Sequence, residues 1–107
     1  MANTHTDAVF HGWFIDSSAT RHMCSDKNNF TNMRESTVTH ATVADQVSMV
    51  VWGQSEVNSK TSSGEFILLS NVLYVPDLAA NLISVSYIDK KGGCVVFKNS
   101  KCDIYNK

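Results

Sequence analysis

Residues 37–43, TVTHATV, alternate in a two-residue period. Only an extended strand can use that period to turn one face inward and the other to water. ADQ and then VSMVVW (47–52) follow, so residues 37–57 read as a long β-hairpin with its turn at Ala44, Asp45 and Gln46. Three further segments are rich in β-branched and aromatic residues: 9–16 (VFHGWFID), 65–75 (EFILLSNVLYV) and 94–98 (CVVFK). Polar or glycine-containing stretches separate them, among them a loop NSKTSSG at 58–64 whose Gly64 starts the next strand. This is the pattern of an all-β chain. One segment departs from it. NLISVSYIDKKGG (81–93) has apolar residues at roughly helical spacing, Lys90 and Lys91 in the last turn, and Gly92 after them. A short helix is expected there, with Pro76 ending the strand before it. The remaining C-terminal stretch reads as two short strands around Asn99–Ser100.

A chain of 107 residues accommodates one domain, and its 43 % hydrophobic content fills a single modest core. The expected organisation is a flexible lead-in at 1–8 and one domain over 9–107, for which pairing with a second copy would add burial. Nine basic and ten acidic residues nearly cancel, which gives no support to nucleic acid or an anionic membrane as partner. Cys24, Cys94 and Cys102 are odd in number and irregular in spacing, so free thiols are expected. His22-x-Cys24 is at most half a metal site, and no metal is expected. The N-terminus has no apolar signal region and no window is long enough to span a membrane. The expected setting is cytoplasmic, or inside an intracellular particle.

The stretch with most chemical content is WFIDSSAT (13–20). Asp16 follows three bulky apolar residues and precedes a run of small ones, an arrangement that lets backbone approach a carboxylate closely. Ser17, Ser18 and His22 could be imagined as a serine-nucleophile set. No oxyanion-hole glycines or ordered third member accompany them, so they read as loop hydroxyls and a structural histidine. Trp13 and Trp52 read as core or flap packing and secondarily as substrate contacts, and Lys90-Lys91 as the solvated end of a helix.

Taken together, WFIDSSATRHMC (13–24), NNFTNM (28–33), VADQ (43–46) and NVLYVPDLAANLISVSYIDKKGGCVVF (71–97) resemble the retropepsin-like aspartic proteases of copia-type LTR retrotransposons. The likeness runs from Trp13 to about Ile104. It implies an acid-protease half-barrel with a hairpin flap and one short C-terminal helix, closed as a homodimer whose terminal strands interleave. It further implies an aspartic endopeptidase that processes a Gag-Pol polyprotein inside a virus-like particle or the cytoplasm, needing no cofactor. Asp16 matches the catalytic acid. Ser17 matches a hydroxyl that reaches the other subunit, Ser18 the residue whose backbone lies against the acid pair, and Ala19 a residue lining the cleft. Ala44, Asp45 and Gln46 match the flap tip, and Leu82 a pocket wall. The family pattern has glycine where this chain has Ser18, Gln46 and Ser55. The alternative implied by those differences is a catalytically impaired dimer that serves as a peptide-binding or structural module.

Overall fold

A computed structural model describes residues 8–10, 12–43, 46–60, 66–98 and 101–105. In chain order its elements are strands β1 (Ala8–Phe10), β2 (Trp13–Asp16) and β3 (Met23–Cys24) and a 3-10 turn (Lys27–Asn29). Strands β4 (His40–Thr42), β5 (Ser48–Val50), β6 (Gly53–Lys60), β7 (Phe66–Tyr74) and β8 (Asn81–Ser84) follow. Helix α1 (Val85–Lys90) and strands β9 (Cys94–Lys98) and β10 (Lys101–Tyr105) complete it. The architecture is mostly β with one short helix. Six strands form one sheet in the order β1-β2-β8-β3-β7-β6, while β4-β5 and β9-β10 are separate two-stranded ribbons. Among the described residues these sheets do not close into a barrel.

The topology places one strand where local pattern could not. Strand β8 lies between β2 and β3, which are neighbours in sequence. It runs parallel to β2, with Asp16 opposite Ser84, and antiparallel to β3, with Met23 opposite Leu82. The chain from 17 to 22 must therefore loop around the end of β8. Residues 81–84, expected as the first turn of a helix, are extended because both edges of this segment are claimed by strands. The helix begins only at Val85, capped by the Ser84 hydroxyl.

Other boundaries also differ from the sequence reading. Segment 9–16 is two strands folded back at Gly12, whose φ of 80° suits a residue without a Cβ. The hairpin is shorter than expected, because β6 leaves it and pairs with β7 instead. Gly53 at the start of β6 lies against residues 33–34: a Cβ there would sit 2.9 Å from Met33 Sδ and 3.0 Å from the Arg34 carbonyl oxygen. That proximity lets Arg34 and Gln54 exchange backbone hydrogen bonds of 3.0 and 2.9 Å. Between Ser55 and Val57 the β6–β7 register slips, so Ser70 and Asn71 together oppose Glu56. Asn71 takes φ 55°, a left-handed conformation that asparagine tolerates better than most residues. Residues 1–7, 11, 44–45, 61–65, 99–100 and 106–107 lie outside the described residues. With them lie the lead-in apart from Ala8, most of the hairpin turn, residues 61–64 of the expected 58–64 loop with its Gly64, and the C-terminal turn. Residues 58–60 of that loop are instead the end of β6, held by pairing with β7.

Two apolar clusters make the core. One gathers Trp13, Ile15, Cys24, Val57, Leu69, Val72, Ile83 and Ile88. The other gathers Met23, Ala41, Val51, Leu73, Val75 and Leu78, with Val38, Val43, Met49 and Leu82 packed against it. The second cluster thus includes the inward face of the β4–β5 hairpin. Trp13 is buried as expected, but Trp52 is 71 % exposed, correcting its reading as a packing residue. It follows β5 where the chain turns into β6, and its backbone N–H donates to the Tyr74 carbonyl at 2.9 Å.

Candidate functional site

Asp16 ends β2 and stands half-buried at the mouth of the 17–22 loop. Its Oδ1 accepts two hydrogen bonds from Ser18, one from the backbone N–H at 2.8 Å and one from the hydroxyl at 2.6 Å. The first is the side-chain turn that aspartate commonly makes with the residue two ahead. The second exists only because residue 18 carries a hydroxyl. Ser17 and Ser18 are exposed, and Ala19 is buried behind them. Ser18 is not in the left-handed region: among described non-glycine residues only Gln46 and Asn71 have positive φ. A serine at 18 therefore imposes no backbone penalty.

One residue ties this loop to the sheet at three places. Ser84 is the strand partner of Asp16. Its hydroxyl donates to the Ala19 carbonyl at 2.6 Å, and its N–H donates to His22 Nδ1 at 2.9 Å. The same hydroxyl accepts from the Tyr87 N–H at 3.0 Å, and the Ser86 hydroxyl adds a second donor to Ala19 at 3.1 Å. Ser84 and His22 are both buried, so these polar groups depend on one another for satisfaction.

Beside the loop, Tyr87 organises a polar cluster. His22 meets its ring edge-on at 5.2 Å between centroids, the Arg21 guanidinium lies 5.1 Å from the ring centre, and Lys91 Nζ lies 5.4 Å from it. The bulge at Asn71 supplies one acceptor and one donor: its backbone carbonyl takes Arg21 Nη2 at 2.9 Å, and its side-chain amide donates to the Tyr87 hydroxyl at 3.0 Å. Burial, and secondly the neighbouring Arg21 charge, lower the His22 pKa from 6.5 to about 4. The imidazole is therefore neutral at ordinary pH, and its Nδ1 serves as acceptor. Burial pushes the Cys24 thiol up, which suits a packing role over a nucleophilic one.

Of the positions expected to form a flap and a pocket, Gln46 and Leu82 are described. Gln46 is exposed with φ 60°, and its N–H donates to the Val43 carbonyl at 3.0 Å. Ala44 and Asp45 lie outside the described residues. Leu82 is half-buried and belongs to the cluster that includes Met49 and Val43 of the hairpin, so hairpin and β8 share one apolar surface. Ser55, the third position where glycine was expected, is fully buried, and its hydroxyl accepts the Asn32 N–H at 3.1 Å. Among the described residues no group of three or more His, Cys, Asp or Glu side chains could hold a metal ion.

Sequence reading found Asp16 and its loop but missed Ser84, Ser86, Arg21, Asn71 and Tyr87 as its supports. The only local hint was the serine before the helix, which has the chemistry of a cap.

A family model described as "Pol polyprotein, beta-barrel domain" matches residues 13–93. The chain is also 36 % identical over 73 residues to a Saccharomyces cerevisiae protein described as a putative transposon Ty5-1 protein. That match covers 68 % of this chain and 47 % of the yeast protein, so the chain spans about half the length of the relative it matches. No solved structure matches.

Proposed function

The chain belongs to the Pol polyprotein β-barrel domain family, and on that footing we propose that it is a retropepsin-like aspartic endopeptidase of a copia-type retrotransposon. It works as a homodimer that processes the Gag-Pol polyprotein in the cytoplasm or within a virus-like particle. The observation that carries this reading is the setting of Asp16. It is a half-exposed carboxylate at the end of a strand, on a loop wrapped around an inserted parallel strand, with Oδ1 oriented by the Ser18 N–H.

One such carboxylate is half of a mechanism. Peptide hydrolysis by acids needs a base to take a proton from water and an acid to give one to the carbonyl oxygen. With a second copy facing the first, two Asp16 side chains held close together cannot both ionise cheaply, so they share one proton and divide the two roles. The water attacks the carbonyl carbon as the ionised Asp16 takes its proton, and the protonated Asp16 protonates the oxygen. Collapse of the tetrahedral intermediate then breaks the C–N bond, with a proton passed to the leaving nitrogen. Substrate binds as an extended strand between the loop and the hairpin, gripped by backbone pairing and by the apolar surface around Leu82 and Met49. Ser17, exposed at the loop, is the residue that reaches the partner's loop, and Ala44, Asp45 and Gln46 cap the substrate. No metal or cofactor enters this chemistry.

A second reading is favoured by one specific contact. The Ser18 hydroxyl sits 2.6 Å from Asp16 Oδ1, on the carboxylate that the dyad would use. If that bond persists in the dimer, the chain is a dimeric peptide-binding module with little turnover.

The test is incubation of the purified chain with a mixture of denatured proteins at about pH 4–6, with and without pepstatin, beside Asp16→Asn. The endopeptidase reading expects cleavage that pepstatin abolishes and that Asp16→Asn lowers by about 10²–10⁴-fold. No cleavage from a confirmed dimer, with activity gained in Ser18→Gly, supports the binding module. Cleavage undiminished in Asp16→Asn contradicts both the role and the residue.

A further inference from the structure

The proposed chemistry makes no use of His22, although it is 3 % exposed and among the few polar side chains in the interior. A buried histidine is ordinarily accounted for once its ring nitrogens are satisfied. Here the satisfaction has a direction. The Nδ1 atom accepts the N–H of Ser84, and Ser84 is the strand partner of Asp16. The same Ser84 holds the Ala19 carbonyl through its hydroxyl. Beginning, middle and end of the span from Asp16 to His22 are thus fixed to one residue.

We infer that His22 is a positioning residue for Asp16, holding the active loop in register through the hydrogen bond that its unprotonated Nδ1 accepts from Ser84. The inference rests on the reading of Asp16 as the reacting acid. The contact has only one workable protonation state. An imidazolium carries N–H on both nitrogens, so Nδ1 would confront the Ser84 N–H as donor against donor. The groups facing the ring do not welcome the added charge. Arg21 lies on the loop itself, Ser84 on β8, and Tyr87 on α1, with Lys91 Nζ over the same Tyr87 ring. None of these is a carboxylate. With the Ser84 N–H released, the β8 end that flanks Asp16 and the anchor of Ala19 lose a common support. The lowered pKa of His22, about 4, fits this arrangement and sets where the clamp should open.

Two substitutions separate positioning from packing. Asparagine at 22 offers an amide oxygen near the place of Nδ1 and does not titrate; phenylalanine keeps a ring against Tyr87 and offers no acceptor. Full-length wild-type, His22→Asn and His22→Phe chains are compared in two measurements across about pH 3–7. The first follows the Ser84, Ala19 and Ser18 amide resonances by NMR, with Asp16→Asn added to all three chains so that no carboxylate at 16 contributes a titration. The second is the pH profile of pepstatin-sensitive cleavage, with kcat and KM separated, in chains that retain Asp16.

The expected result is that the Ser84 and Ala19 amides of the His22 chain shift together with the imidazole, with a midpoint near pH 4. His22→Asn loses that midpoint, keeps wild-type-like Ser18 and Ala19 resonances, and keeps kcat close to that of wild type while its acid limb changes. His22→Phe displaces Ser18 and Ala19 at every pH and loses on the order of a hundredfold in kcat with KM little altered, as expected for a misplaced reacting group. Equal behaviour of the Asn and Phe variants overturns the inference, as does an imidazole that titrates without moving Ser84. Should His22→Phe fail to fold, the wild-type and Asn chains still decide it. Amide behaviour as expected, with no cleavage by any chain, leaves the clamp standing and removes the protease reading.

Discussion

The span from Asp16 to His22 hangs from the strand partner of Asp16 by hydrogen bonds, while the β4–β5 hairpin is held down by apolar side chains, chiefly Ala41, Met49 and Val43 on the cluster that contains Leu82. The two regions also differ in how they carry a residue where the resemblance implies glycine. At 18 the backbone is ordinary, and the serine alters chemistry by adding a hydroxyl to the carboxylate. At 46 the side chain is exposed and touches no reacting group, and the cost is conformational, a glutamine held at φ 60°. The same kind of substitution is a question of reactivity in one loop and of strain in the other. On the proposed reading, directional bonds suit a group that must stand in one place, and apolar contact suits a flap that lifts and settles, since it can slide without leaving a polar group unpaired.

If the comparison holds, the loop should be sensitive to pH in a way the hairpin is not. Between the ordinary histidine value of 6.5 and about 4, the unfolded chain carries a proton on His22 that the folded chain refuses. Stability from this residue is complete above the unfolded value and is lost as pH falls through that window, by about 3 kcal/mol in all. Urea midpoints at fixed protein concentration should show that loss in wild type and lack this component in His22→Asn. Equal pH dependence in the two would break the comparison.

Next in size is Ser84→Ala. It removes the helix cap, leaves the Tyr87 N–H without its hydroxyl partner and leaves the Ala19 carbonyl with the Ser86 hydroxyl alone, at a cost of about 2 kcal/mol. Denaturant unfolding checks the number, and a neutral outcome would move the loop's support elsewhere.

The sharpest contrast, though smaller, comes from restoring glycine in each region. Gln46→Gly should raise stability by about 1 kcal/mol by relieving the left-handed residue. Ser18→Gly should lower it by about 0.5–1 kcal/mol, since the backbone there gains only unfolded-state freedom. Changes of the same sign at both positions would show that backbone conformation does not distinguish them.

Much of this was legible in the residues. TVTHATV and VSMVVW gave a hairpin, WFID gave the strand that ends in Asp16, and the Lys90–Gly92 signal located the end of the helix. What escaped has physical reasons. Strand β6, GQSEVNSK, turns Gly53, Ser55 and Val57 inward and leaves Gln54, Glu56 and Asn58 nearer the surface. Its period of two is carried mostly by small residues, so hydrophobicity does not display it. Strand β8 looks helical because its apolar residues run on into α1, and only its insertion between β2 and β3 keeps it extended. The His22–Ser84 bond joins positions 62 residues apart, beyond the reach of any local pattern.

The account stands or falls on whether two chains share one site through Asp16. Wild-type chain mixed and re-equilibrated with increasing fractions of Asp16→Asn, at constant total protein, measures this directly through the rate of pepstatin-sensitive cleavage. A shared site predicts that activity falls as the square of the wild-type fraction, because every mixed pair is dead. A straight-line fall would mean that each chain cuts by itself, and the two-acid centre proposed here would not exist.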